Sequence, residues 1–142
     1  MKLKILAVAL LATLQIPLGC SRFSQPKTIS GTYTECVEKL GEMLQITQTS
    51  TGQITGVLSR VMVDEKYKVS NTRSPITAGQ IDKDQLTLVV GDTYIGGTVD
   101  GDTITFQTVA PNGFSKNTFK KSTGEEFLKC SIRLHNSALL AP

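Results

Sequence analysis

The feature that most constrains this chain is a ten-residue pattern written twice, eighteen positions apart. Gly79-Gln80-Ile81-Asp82-Lys83-Asp84-Gln85-Leu86-Thr87-Leu88 and Gly97-Thr98-Val99-Asp100-Gly101-Asp102-Thr103-Ile104-Thr105-Phe106 share one formula: glycine, any residue, an aliphatic, Asp-x-Asp, any residue, apolar, Thr, apolar. Leu86/Leu88 and Ile104/Phe106 alternate with polar neighbours, which puts each apolar pair on one face of an extended chain. Asp-x-Asp is turn chemistry, because carboxylates can accept backbone N–H groups and Gly101 tolerates positive φ. Each copy therefore reads as a strand's end, a tight turn and the next strand's start. Gly91-Asp92 turns the chain between the copies, and Ala110-Pro111-Asn112-Gly113 turns it after the second.

The same pattern extends upstream. Leu44 and Ile46 alternate with Gln45 and Thr47, a polar loop Thr49-Ser50-Thr51-Gly52 follows, and Ile54 and Leu58 resume the alternation toward Val61, which is a β-hairpin. Gly31 to Val37 reads as the first strand, and Glu38 to Glu42 fits either a helical turn or a loop leading into the hairpin. A strand through Val61-Met62-Val63 ends at Asp64-Glu65-Lys66, another begins at Tyr67-Lys68-Val69, and Asn71-Thr72-Arg73-Ser74-Pro75 reads as a loop. Lys116 to Lys121 around Phe119 is a basic, edge-like strand.

Downstream, Ser122-Thr123-Gly124-Glu125 has capping-box spacing, predicting one short helical turn over Glu125 to Lys129. The alternation of Ile132 and Leu134 predicts a closing strand, and residues 136–142 a weakly ordered tail. Turns every eight to twelve residues predict an all-β domain over 31–135: a single antiparallel up-and-down β-barrel of about eight strands, with a β-sandwich as the alternative.

The chain's start obeys different rules. A basic Met1-Lys2-Leu3-Lys4 precedes an apolar run from Ile5 to Leu14, too short to span a bilayer, so residues 1–19 read as an export signal. Gly19-Cys20 resembles the lipobox of bacterial lipoproteins, although Pro17 stands where that family prefers Leu. The resemblance implies that Cys20 is lipidated and becomes the new N-terminus. The chain would then be held to the cell envelope by its lipid, with residues 20–30 as a tether. Ser21 in place of the family's retention Asp implies the periplasmic face of the outer membrane, if the cell is Gram-negative. With Lys2 and Lys4 removed, 13 basic residues face 12 acidic ones, so no electrostatic footprint for nucleic acid remains.

Cys36 and Cys130 are then the remaining thiols, and export favours a bridge between them over two separately buried thiols. Such a bridge would close a loop of about a hundred residues and stabilise the fold by roughly 4–5 kcal/mol through closure entropy. In a barrel it would staple the first predicted strand to the last.

Catalytic chemistry finds little support. Asp82/Asp84 and Asp100/Asp102 have spacing suited to a hard cation, but neither pair is followed by the bidentate Glu of a calcium loop, so turn carboxylates explain them without metal. The single histidine, His135, sits near the C-terminus, and no G-x-S-x-G elbow accompanies it. Zinc-ligand spacing is absent, and Gly96-Gly97 lies inside a strand, where it marks a bulge or close packing and not a phosphate loop. Lys116, Lys120 and Lys121 beside Phe114 and Phe119 read as edge-strand lysines that discourage pairing with other chains. The expectation is a non-enzymatic protein without cofactor or metal.

Over most of the exported part the pattern is similar to the lipocalin-like (calycin) barrels. Gly31-Thr32-Tyr33 stands where those proteins carry Gly-x-Trp on their first strand, and the two Asp-x-Asp hairpins and a short helix near the end also fit. The chain has no Trp, which sets it apart from the avidin-like barrels of similar size. The resemblance implies a barrel holding a small apolar or amphipathic ligand, with Tyr33, Ile46, Leu58, Leu88 and Phe106 as the inward residues that would touch it. The alternative is a filled barrel acting through loops such as Asn71–Pro75 or Pro111–Lys116 to bind or inhibit an envelope protein, for example a hydrolase.

Overall fold

The computed structural model describes residues 27–110 and 113–141. The expected export signal, Cys20, the first part of the tether and the tip of the 110–113 turn lie outside the described residues. Eight antiparallel strands close in chain order into one up-and-down barrel, which excludes the sandwich. They are β1 (Gly31–Cys36), β2 (Leu40–Gln48), β3 (Ile54–Val63), β4 (Val69–Asp82), β5 (Gln85–Val90), β6 (Thr93–Asp100), β7 (Thr103–Ala110) and β8 (Gly113–Lys121). A helix, α1 (Gly124–Leu139), follows and lies against the outside.

The repeat builds the β4–β7 meander as its alternation requires. Two-residue turns link Asp82 to Gln85 and Asp100 to Thr103, the pairs that close each hairpin's ladder. Gly101 takes φ 54°, and Lys83 holds the equivalent place in the first copy at φ 57°. The turn carboxylates do not bind backbone N–H groups as expected. Asp84 accepts instead from the Gln85 side chain at 3.3 Å, while the main-chain oxygens of Asp84 and Asp102 take the N–H groups of Val99 and Lys121. The carboxylate that does organise a loop is Asp64, whose Oδ1 accepts from the N–H groups of Lys66 and Lys68 at 2.8 Å each. That loop holds Tyr67 at φ 57°, a left-handed conformation uncommon for a bulky residue.

The two ends of the barrel differ. At the end where β1 begins, the interior is solid: Tyr33, Ile46, Ile54, Leu86, Leu88, Val99 and Ile104 are buried together, and Leu44, Phe106 and Phe119 extend the same core toward the other end, Phe106 meeting Phe119 edge-on at 5.7 Å between centroids. Ile29 caps this closed end. Its carbonyl accepts from the Tyr33 hydroxyl at 3.0 Å, its N–H reaches the Gln48 side chain at 3.0 Å, and the Gln48 N–H binds the Ser30 hydroxyl. The tether expected to run to residue 30 therefore stops short of it, because a buried isoleucine draws residues 27–30 into the fold.

Three further expectations are corrected. Asn71–Pro75 is not a loop but the start of β4, paired with β3 through Val57↔Pro75 to Val61↔Asn71. Pairing of β4 with β5 begins only at Ile76, and beyond the Pro75 carbonyl, which accepts the Gly91 N–H at 2.9 Å, residues 69–74 form a free edge, so proline's missing N–H is tolerated where the pairing ends. The segment from Gly124 to Leu139 is a 16-residue helix in place of one helical turn, a closing strand and a tail. Phe127, Cys130, Leu134 and Ala138 recur at helical spacing and pack on Val61, Val63 and Val69 outside the barrel. The Cys36–Cys130 bridge forms, but it ties α1 to the end of β1 and not strand to strand. Gly41 lets the helix approach, since a Cβ there would sit 2.9 Å from the Cys130 sulfur.

Candidate functional site

At the other end, where β1 finishes and β2 starts, the interior alternation continues but the residues on it turn polar. Position by position, Glu35 on β1 faces Glu42 on β2, Glu42 faces Arg60 on β3, and Arg60 faces Thr72 on β4. All lie on the inward parity set by Tyr33, Leu44 and Leu58. Glu42, Arg60 and Thr72 of that row border a cavity of about 250 Å³. Leu44, Leu58, Val90, Ile95, Phe106 and Phe119 supply its apolar lining and Glu42, Arg60, Thr72, Ser74, Thr93, Thr108 and Asn117 its polar lining, and the two interleave across the ladders, since Leu58 pairs with Ser74, Val90 with Thr93 and Phe106 with Asn117.

Glu42 is the centre of that polar lining. It is only 1% exposed, the one charged residue among the fully buried side chains of the described residues. Its Oε1 accepts from Arg60 Nε at 2.6 Å and pairs with Nη2 of the same guanidinium, while Oε2 accepts from Asn117 Nδ2 at 2.9 Å. Burying a carboxylate costs several kcal/mol unless charge and hydrogen bonds compensate. Here both oxygens are partnered, by side chains from β3 and β8. Arg60 keeps 43% of its side chain exposed, so one face of the guanidinium still meets solvent at the opening.

Glu35 sits at the seam where the barrel closes. β1 and β8 pair through Tyr33↔Lys121 and Thr34↔Lys120 only. One step further, the Glu35 carboxylate takes the place of a strand partner: Oε1 accepts the Thr118 N–H at 2.9 Å. Oε2 is buried with no hydrogen-bond partner among the described residues. Burial pushes the Glu35 carboxyl above the usual range, the negative charge of Glu42 adds to this, and the Thr118 bond opposes it. The phenol of Tyr33 is also pushed up by burial and by Asp102, and it stays a neutral donor to Ile29.

Of the five residues expected to touch a ligand, Leu58 and Phe106 line the cavity. Tyr33, Ile46 and Leu88 do not; they belong to the packed core of the closed end, because a barrel this narrow is filled by its own large side chains there. Glu42, Arg60 and Asn117 were not anticipated. The signal was present, since they continue the inward alternation of Leu44/Ile46, Ile54/Leu58 and Phe119, and charge on an inward parity marks an unusual interior. The sequence matches no protein-family model, and neither a curated protein nor a solved structure matches it.

The site holds an ion pair, an amide, hydroxyls and apolar side chains, which is the equipment for recognition. Among the described residues no three His, Cys, Asp or Glu side chains gather where they could share a metal. His135 is far from the cavity in sequence and element: it lies on α1, its Nδ1 donating to the Ser131 carbonyl at 2.8 Å.

Proposed function

We propose that this chain is a non-enzymatic binding protein that takes a small amphipathic molecule into the open end of its barrel. The observation that carries the reading is the mixed lining of the cavity: apolar side chains set beside a buried charge, Glu42, that is held by Arg60 and Asn117. A barrel selected only to be stable would fill this end with aliphatics, as it fills the other, since well-packed apolar residues are often at least as stabilising as a buried ion pair. A volume near 250 Å³ falls just below the roughly 300–1,000 Å³ of drug-sized pockets, which favours a ligand of few heavy atoms. Its tail would lie on Leu58 and Phe106 and its polar head among Arg60 and the hydroxyls of the lining.

The export signal and lipobox-like Gly19-Cys20 support placing the protein in the cell envelope, anchored by a lipid on Cys20 and, in a Gram-negative cell, on the periplasmic face of the outer membrane. A disulfide suits that oxidising setting.

A second reading is favoured by the apolar side chains at the opening. Val37, Met62 and Tyr67 are exposed around it, with Tyr67 presented in a left-handed conformation under Lys39. In this reading the open end docks on another envelope protein. Native mass spectrometry of the protein extracted from its own membranes separates the two. A retained small molecule, lost when Leu58 is replaced by Trp, supports the carrier. A bare chain that instead co-purifies with one stoichiometric protein partner supports the second reading and overturns the first.

A further inference from the structure

The helix α1 is apolar on two sides. One side packs on the barrel through Phe127, Cys130, Leu134 and Ala138. The other carries Leu128, Ile132 and Leu139, spaced four and seven residues apart, so they form a stripe along the flank of the helix. They are 59%, 52% and 81% exposed, and Leu140, just past the end of the helix, is 85% exposed. Among the described residues, half of the exposed large hydrophobics lie on this helix or directly after it. The others surround the cavity opening or, in the case of Tyr94, stand on the opposite wall.

From this placement we propose that the Leu128–Leu139 stripe rests on the lipid surface to which the protein is anchored, so that the barrel lies on its side with the cavity opening held along the membrane. The proposal rests on the reading of Cys20 as the lipid-bearing residue. The length and starting point of the preceding chain select a bilayer as the occupant over a second copy. Residues 20–26 are seven residues, with a reach of at most about 25 Å when fully extended. They enter the fold at its closed end, where Ile29 caps the barrel. The helix starts from that same end: the Ser122 N–H binds the Thr32 carbonyl two residues before Gly124. Its 16 residues span about 24 Å. An anchor at Cys20 thus keeps the whole stripe within reach of the bilayer. Tethering also raises its effective concentration there, so a few apolar side chains suffice for contact. On that face no Lys or Arg falls between Leu128, Ile132 and Leu139, where the intervening positions are the half-buried His135 and the exposed Asn136, so the contact does not require anionic lipid.

The absence of tryptophan makes the test direct. Leu128→Trp, Ile132→Trp and Tyr94→Trp variants of the full chain are made in the native host and reconstituted in phosphatidylcholine vesicles with and without brominated acyl chains. Circular dichroism checks that each folds as the parent does. The expected result is blue-shifted emission, quenched about two-fold or more by bromine, at 128 and 132, matching the depth of about 5–10 Å of interfacial helices, and no quenching at 94. Proteins that float with the vesicles while 128 and 132 stay unquenched overturn the proposal and leave the anchor standing. Blue-shifted emission that bromine does not touch means that protein covers the stripe, a second copy or another partner, and also overturns it. A chain that fails to float and shows no acyl mass on Cys20 removes the anchor and the proposal together.

Discussion

Glu42 tests how a buried charge is held. Its carboxylate is paired with Arg60 and Asn117 and has almost no solvent contact, so the damage done by mutation depends on which partner leaves. Arg60→Met strands the carboxylate with one amide, and the expected loss is about 2–4 kcal/mol, toward the lower end because Arg60 is partly exposed. The double variant Glu42→Leu/Arg60→Met removes the stranded charge and is expected to recover most of that loss. Guanidinium unfolding of the three proteins measures both; a double variant as weak as the single one would show that the pair is a minor part of this end. Glu35 gives the pH dependence. Its folded pKa lies above the unfolded one through burial first and Glu42 second, so across the window between them the folded state holds more protons than the unfolded. Stability from this group is therefore full below the ordinary glutamate range and falls as pH rises through the raised value. Glu35→Gln should stabilise the protein at pH 7, with the gain vanishing near pH 4, in urea midpoints taken across that interval.

At the level of elements, the disulfide and α1 are one unit. The bridge joins residues 94 apart in sequence, and its helix partner is otherwise held by a small cluster, Val61, Val63, Leu134 and their neighbours, and by Arg133, whose Nη2 donates to the Val37 carbonyl at 2.6 Å. Replacing both cysteines by Ser is expected to cost roughly 4–5 kcal/mol if closure entropy dominates. Hydrogen exchange should quicken first along α1 while Leu44, Leu88 and Ile104 stay protected in the barrel core. Exchange that quickens evenly throughout would mean that helix and barrel unfold as one. The strands were legible in the sequence wherever alternation met a turn: the two Asp-x-Asp hairpins and Leu44–Leu58 lie where period two placed them. The helix was not, because Ile132 and Leu134 satisfy period two while Phe127, Cys130, Leu134 and Ala138 satisfy 3.6, and a short window does not separate them. Nor was the start of β4, where Asn71, Ser74 and Pro75 carry turn chemistry onto an edge that only the protruding β3–β4 hairpin makes acceptable. The site was half legible. Inward parity could nominate Glu42, Arg60 and Asn117 singly, yet their meeting depends on barrel closure bringing β8 beside β1, which no local pattern encodes.

The molecule as a whole divides into an end that is packed and an end that is hollow, and the two should respond oppositely to the same class of substitution. Leu88 is fully buried among the closed-end residues, with no route to water. Leu88→Ala leaves a void there and is expected to cost about 2–5 kcal/mol, since the surrounding strands cannot collapse around it. Leu58 is only partly buried and faces the cavity. Leu58→Trp has room to enlarge, so it should change stability by less than about 1.5 kcal/mol while occupying the space in which a ligand would lie. Hexan-1-ol, short and amphipathic, is a suitable probe for a cavity this small. At ten times its dissociation constant, binding to the folded state alone should add about 1.4 kcal/mol to the stability of the parent chain. The same increment should appear on top of the lowered stability of Leu88→Ala and be absent from Leu58→Trp. Thermal unfolding with and without the alcohol reads all three. Should Leu58→Trp retain the increment, the alcohol binds elsewhere, and the hollow end loses its claim to be the ligand's place. Should Leu88→Ala gain a larger increment than the parent, the probe has filled the void made for it. The packed end would then be the better binding site once emptied, and the natural cavity would be too polar in its lining for so simple a molecule.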